Sequence, residues 1–220
     1  MLEIIKEGDW TLPQAVILDQ AFELAKQHNT KLSSYTMNMQ GMSGRKYRTL
    51  INRLVEKTPD ARYLEVGSWK GSTVCSAMDG NTGVFKCIDN WYEGSHIKVD
   101  FETNTKQLLT DNTDFSFIYN DFRNVDYHAL GKFNIYMFDG PHEKQDQYDG
   151  IYYALPALDD CYTLIVDDYN VEPVQSGTRD ALVACGQTVI ASISILSGEN
   201  PYLNGSDWHN GYFIAVIKKG

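Results

Sequence analysis

The chain has 220 residues and a mass of 25.0 kDa, enough for one domain with a large core. Its 43% hydrophobic and 22% charged residues exclude a disordered chain, a collagen-like fibre and a disulfide miniprotein. Nineteen Lys and Arg against twenty-nine Asp and Glu give a net charge of −10, which repels phosphate backbones and anionic lipid and so argues against nucleic acid or a membrane as partner.

The first ten residues, Met1 to Trp10, carry acids early and no apolar stretch of the kind a signal peptide needs. No apolar run approaches the roughly 18 residues of a membrane span. Pro13 opens a predicted helix with Ala15, Val16, Leu18, Ala21, Phe22 and Leu24 at helical spacing. A second helix is expected from about Ser43 to Pro59, with Tyr47, Leu50, Ile51, Leu54 and Val55 on one face. A Met-rich loop, Met37 to Ser43, joins them. The apolar N-terminal segment can bury against the body or a second copy, which leaves a homo-oligomer open.

After Asp60 the pattern changes to short β-branched and aromatic runs. They are Tyr63–Gly67, Val84–Ile88, Phe115–Tyr119, Phe133–Phe138, Tyr162–Val166, Thr188–Ile193 and Tyr212–Ile217. Helical patterns between the first six predict right-handed βαβ units. Only a Gly-, Asn- and Ser-rich loop separates the last two, so these should pair antiparallel. The expected fold is α/β: a doubly wound, mostly parallel seven-stranded sheet with a C-terminal antiparallel hairpin. Residues 1–220 form one domain, with an N-terminal helical cap over 1–59 and a Rossmann-like core over 60–220. Cys75, Cys87, Cys161 and Cys185 are widely spaced among small or apolar neighbours, as reduced core cysteines of a cytoplasmic protein are.

Ligands of such sheets bind at the carboxyl ends of the strands. The first run ends Glu65-Val-Gly67-Ser68-Trp-Lys-Gly71-Ser72. Its glycines let backbone approach a ligand closely, but the spacing is not the G-x-G-x-x-G that cradles a pyrophosphate. An acid in the strand end suits a cationic, phosphate-free ligand; a plain strand-to-helix turn is the alternative. The second run ends Asp89-Asn90-Trp91, offering a carboxylate to ribose hydroxyls and an indole to stack on a base. The third ends Asn120-Asp121, a carboxylate for an adenine amino group or a helix cap.

Together these residues resemble the class I S-adenosylmethionine-dependent methyltransferases over residues 60–220. The resemblance implies S-adenosylmethionine as cofactor. It implies that Glu65, Gly67, Ser68 and Gly71, with Ser72 beside them, line the methionine part. Asp89 and Asn90 would then hold the ribose, Trp91 and Asp121 would flank the adenine, and Ser43 would reach the carboxylate.

The fourth run ends Asp139-Gly-Pro-His142 and the fifth Asp167-Asp168-Tyr169. Three carboxylates crowded on one rim repel one another unless a hard divalent cation, such as Mg2+, neutralises them. Asp139, Asp167 and Asp168 are therefore candidate metal ligands. Asp139 also borders the cofactor, and His142 is a candidate general base for a hydroxyl. These motifs resemble the catechol-type and, more closely, the macrocin-type O-methyltransferases. The implied acceptor is the hydroxyl of a small molecule, a sugar-like or catechol-like vicinal diol. Competing readings are a nicotinamide-dependent oxidoreductase, disfavoured by the missing glycine pattern, and a non-catalytic cofactor-binding protein. Acceptor specificity should lie in loops 33–43, 92–100, 141–148, 170–177 and 197–211, with Tyr35, Trp91, Tyr92, Tyr169, Tyr202 and Trp208, and with His209 bordering the substrate.

Overall fold

A computed structural model describes residues 2–197 and 207–220. Eight strands form one mixed sheet: β1 (Glu3–Gly8), β2 (Arg62–Val66), β3 (Gly83–Asp89), β4 (Thr113–Tyr119), β5 (Phe133–Phe138), β6 (Leu158–Val166), β7 (Thr188–Leu196) and β8 (Tyr212–Lys218). Their order is β1-β7-β8-β6-β5-β2-β3-β4. Strands β4, β3, β2, β5 and β6 run parallel, and β8 enters antiparallel between β6 and β7, as expected of the last two runs.

The structure corrects the expected count of seven strands. β1 pairs antiparallel with β7 and forms one edge of the sheet. Its sequence, Glu-Ile-Ile-Lys-Glu-Gly, is too polar and short to announce a strand, and pairing with β7 supplies what local pattern lacks. A second correction concerns the link from β4 to β5. It carries no α-helix, only two single 3-10 turns at Phe122–Asn124 and Tyr127–Ala129, each capped by an aspartate.

Among the described residues, seven α-helices cover the sheet: α1 (Pro13–Lys26), α2 (Ser34–Met37), α3 (Arg45–Lys57), α4 (Ser72–Met78), α5 (Ser95–Lys106), α6 (Lys144–Ala154) and α7 (Glu172–Ala184). α1 starts at Pro13 as predicted. α3 starts at Arg45, because Ser43 is outside the helix and Gly44 takes the cap position. The short α2 lies at the start of the Met-rich loop, with Ser33 accepting from Thr36 N–H at its cap.

The period-2 alternation of the strands builds two cores. Tyr63, Met137, Ile165 and Ile214 pack with α1, α3, α4 and α5 on one face. Leu64, Phe138, Leu164 and Ala215 pack with α6 and α7 on the other. The same alternation turns Glu65 toward the α3 side, where it is fully buried beside Tyr63. Cys75 and Cys87 are buried, Cys161 and Cys185 half-buried, and none forms a disulfide among the described residues.

Candidate functional site

The parallel register places the predicted site residues on one rim. Val66 is level with Ile88 on β3 and Phe138 on β5, and Phe138 is level with Val166 on β6. Each strand therefore ends beside its neighbour. Gly67 N–H donates to Ile88 O, Asp139 N–H to Val66 O, Asp167 N–H to Phe138 O and Asn120 N–H to Asp89 O. A cavity of about 700 Å3 opens along this rim. It is lined by Gly67, Asp89, Asn90, Trp91, Asp121, Asp139, His142, Asp167 and Asp168, all predicted from sequence.

Gly67 is required by space as well as by backbone. Its φ is +83°, and a Cβ there would sit 1.8 Å from the carbonyl oxygen of Asp139. Asp89 organises the turn. One carboxylate oxygen accepts from Ser68 N–H (2.7 Å) and Trp69 N–H (2.9 Å), and the other accepts from Trp91 N–H (2.7 Å). Trp91 is 4% exposed, donates its indole N–H to Trp69 O, and packs among Phe101, Phe117 and Tyr119. It is both a core residue and part of the cavity wall. Asp121 also has two roles, since it lines the cavity and caps the turn through Arg123 N–H.

Glu65, Ser68, Gly71, Ser72 and Ser43 do not line this cavity. They stand behind the turn, around the start of α4. Burial lifts the Glu65 carboxyl to about 7, against hydrogen bonds that include one from Tyr63 O–H at 2.6 Å. Its other oxygen is buried without a partner. An orphaned buried carboxylate oxygen fits a cationic ligand group, because a positive charge there restores the ionised form.

Across the rim, Asp139, His142 and Asp168 bring one ligand atom each to within 4.8 Å of one another. His142 Nε2 lies 2.6 Å from Asp168 Oδ2. The converging group is thus two carboxylates and an imidazole; Asp167, expected as the third acid, is not part of it. Asp167 is 5% exposed and accepts from Asp168 N–H. Burial, then the neighbouring Asp168, holds the Asp139 carboxyl well above the usual carboxylate range; burial, then Asp139, does the same to Asp167. Burial also pushes Asp168 up, but the hydrogen bond and charge of His142 outweigh it and leave Asp168 lowered. The same hydrogen bond raises His142. Carboxyls raised by burial and by one another's charge fit a divalent cation, which relieves that repulsion.

Several site residues carried no motif. Trp69, at φ +46°, lines the cavity and donates its indole N–H to Glu93. Asn210 donates to Asp168 from the turn before β8, and His209 lines the cavity beside it. Met42 is the one residue of the Met-rich loop in the wall. Of the aromatic residues expected around the acceptor, Trp91 and Tyr92 line the cavity. Tyr35 instead donates to Asn104, Tyr169 stacks on Phe213, and Trp208 is buried against Phe22. Tyr202 lies outside the described residues. No described helix is long and apolar enough to cross a membrane.

No protein-family model matches the chain, and no curated protein matches its sequence. Solved structures do match. TrmN from Thermus thermophilus superposes with a TM-score of 0.58 at 14% identity over 90% of this chain, which spans only 53% of that one. The O-methyltransferase from Bacillus cereus in complex with SAH gives 0.56 at 14% identity, covering 92% of this chain and 91% of that one. A Pyrococcus horikoshii protein described as an RNA methyltransferase gives 0.55 at 12% identity, covering 90% and 96%. At such low identity the likeness concerns architecture: this chain has the Rossmann-like α/β fold of these solved methyltransferases.

Proposed function

We propose that the chain is an S-adenosylmethionine-dependent O-methyltransferase acting on a hydroxyl of a small molecule with the help of a divalent cation. The observation that carries this reading is the convergence of Asp139, His142 and Asp168 in the same cavity as the Gly67 turn. When bound, the cofactor supplies an electrophilic methyl group, and the cation favours the ionised form of an acceptor oxygen. Gly67, Asp89 and Asp121 hold the cofactor on the β2–β4 side of the rim, with Glu65 buried behind the turn. Asp139 and Asp168 would hold the cation, with the buried Asp167 beside them adding negative charge.

His142 accepts the hydroxyl proton at Nε2, and Asp168 orients the ring. Met42, Trp69 and Trp91 close the wall and exclude water, which leaves positioning as the main task of the protein. Among the described residues, no Lys or Arg lines the cavity, while seven carboxylates do. Such a wall favours an uncharged diol over a phosphate-bearing acceptor or nucleic acid. The test is calorimetric titration with S-adenosylhomocysteine, followed by methyl transfer to vicinal diols with Mg2+, with Mn2+ and with chelator. Absence of cofactor binding would refute the reading, and turnover indifferent to chelator would remove the cation from it.

A further inference from the structure

The turn before β8 sends one side chain into the cavity that the proposed chemistry leaves unused. Asn210 lines the cavity, and its Nδ2 donates to Asp168 Oδ1. The other oxygen, Asp168 Oδ2, meets His142 Nε2 at 2.6 Å. An ionised carboxylate has acceptors only, so the amide must present its N–H side to Asp168. The far end of the amide agrees, since its Oδ1 is turned toward Asn170 Nδ2, 3.5 Å away. Both oxygens of Asp168 are therefore engaged, one by the segment after β5 and one by the turn before β8.

The turn is fixed without this contact. Tyr169 N–H donates to Gly211 O (3.2 Å), Asn170 N–H to Asn210 O (3.2 Å) and Gly211 N–H to Trp208 O (3.0 Å). The Asn170 side chain closes the outer side, donating to Ser197 O (2.6 Å) and accepting from Ser197 N–H (3.0 Å). Gly211 has φ +83°, and a Cβ there would fall 2.5 Å from Asn170 Oδ1. Backbone bonds thus set position 210, and its side chain reaches Asp168 already oriented.

The other half of the contact is the part that needs holding. Asp168 has φ +54°, a left-handed backbone that persists in a residue with a Cβ only where its surroundings over-determine it. His142 is half-exposed. A half-exposed ring and a carboxylate joined by one hydrogen bond can swing together. A second donor on the opposite oxygen, carried by a fixed turn, leaves the carboxylate one plane and Oδ2 one direction.

Resting on the catalytic reading above, we propose that Asn210 is a positioning residue: it locks the plane of the Asp168 carboxylate and, through it, the His142 imidazole. The turn before the last strand thereby sets the geometry of a group that follows β5.

The test uses the full chain and two side-chain variants, both of which keep the backbone bonds of residue 210. Asn210→Ala removes the donor. Asn210→Asp keeps the shape and replaces the donor with a charge that Asp168 repels. Crystal structures grown with chelator read the geometry without any acceptor. Wild type should show His142 Nε2 and Asp168 Oδ2 in one arrangement within hydrogen-bond reach, and both variants should show them beyond about 3.5 Å. Methyl transfer is measured with catechol as the acceptor probe and Mg2+. Both variants should lower kcat about tenfold or more, as a misplaced group does, with KM for S-adenosylmethionine within about twofold of wild type. In a His142→Ala background, Asn210→Ala should change kcat by less than about twofold, because the group it positions is gone.

An unmoved His142–Asp168 pair in both variants overturns the proposal. So does an equal fall in kcat with and without His142, which would make Asn210 part of the scaffold only. If Asn210→Ala does not fold, the isosteric Asn210→Asp decides. A wild type that binds no S-adenosylhomocysteine in calorimetry refutes the cofactor reading, and one that binds it but leaves catechol unmethylated rejects that acceptor. In both cases the crystal structures alone decide whether Asn210 sets the pair.

Discussion

His142 Nε2 and Asp168 Oδ2 stand 2.6 Å apart across the cavity, each from a different loop at the strand ends. The pair gives the imidazole an orientation that Asp168 fixes. Asp168→Ala should abolish methyl transfer while S-adenosylhomocysteine binds within about twofold of wild type, because the cofactor side of the rim is untouched. Undiminished, metal-independent turnover by that variant would remove both cation and pair from the mechanism.

The role of His142 is separable from that of the acids. His142→Ala should lower kcat by about 10²- to 10⁴-fold, the span of a lost general base, with metal affinity little changed. Metal affinity is read by titration calorimetry with Mn2+. A large loss of affinity would make His142 a ligand, consistent with its place in the converging group.

Gly67→Ala should damage both fold and site. A left-handed φ costs about 1–3 kcal/mol for a residue with a Cβ, before the clash with the Asp139 carbonyl is counted. The expected outcome is a lower thermal midpoint and no detectable cofactor binding. A variant with native melting and native affinity would contradict the close approach of β2 and β5 at this rim.

Glu65 makes stability depend on pH. Its folded pKa of about 7 lies above the ordinary value of 4.5, so the folded state holds the proton more tightly than the unfolded chain. The stability this confers is fully present below about 4.5, falls as pH rises toward 7, and is gone above it. Glu65→Gln mimics the neutral form, so its advantage over wild type should grow across this window, by on the order of 3 kcal/mol in total. Denaturant titrations of both proteins at pH 5 and pH 8 measure the difference. An unchanged difference would mean that Glu65 is ionised in the folded state.

Trp208→Ala should loosen the N-terminal helices. Trp208 is 1% exposed and its ring lies 5.8 Å from that of Phe22 on α1. Its neighbour Asp207 accepts from Tyr47 N–H on α3. A cavity of this size costs about 3–5 kcal/mol. The same change should reduce turnover, because His209 and Asn210 follow directly in the chain. A midpoint of denaturation unmoved by the substitution would refute the anchoring role.

The sequence by itself determined the strands from β2 to β8, the antiparallel hairpin at the end, and the acids and glycines that close each strand. Those features follow from local pattern: β-branched and aromatic runs form buried strands, and a turn that needs a positive φ needs glycine. Register then brings Gly67, Asp89, Asp139, Asp167 and Asp168 to one rim, as the strand-end rule predicts. Tertiary structure alone decided the rest. β1 exists because β7 offers an edge. His142 rather than Asp167 completes the converging group because the loop after Asp139 folds back toward Asp168. Trp69 and Asn210 gain their roles from neighbours 20 to 42 residues away, and no spacing along the chain encodes such contacts. Packing chooses among the faces a local pattern leaves equivalent, and only the folded chain contains the outcome.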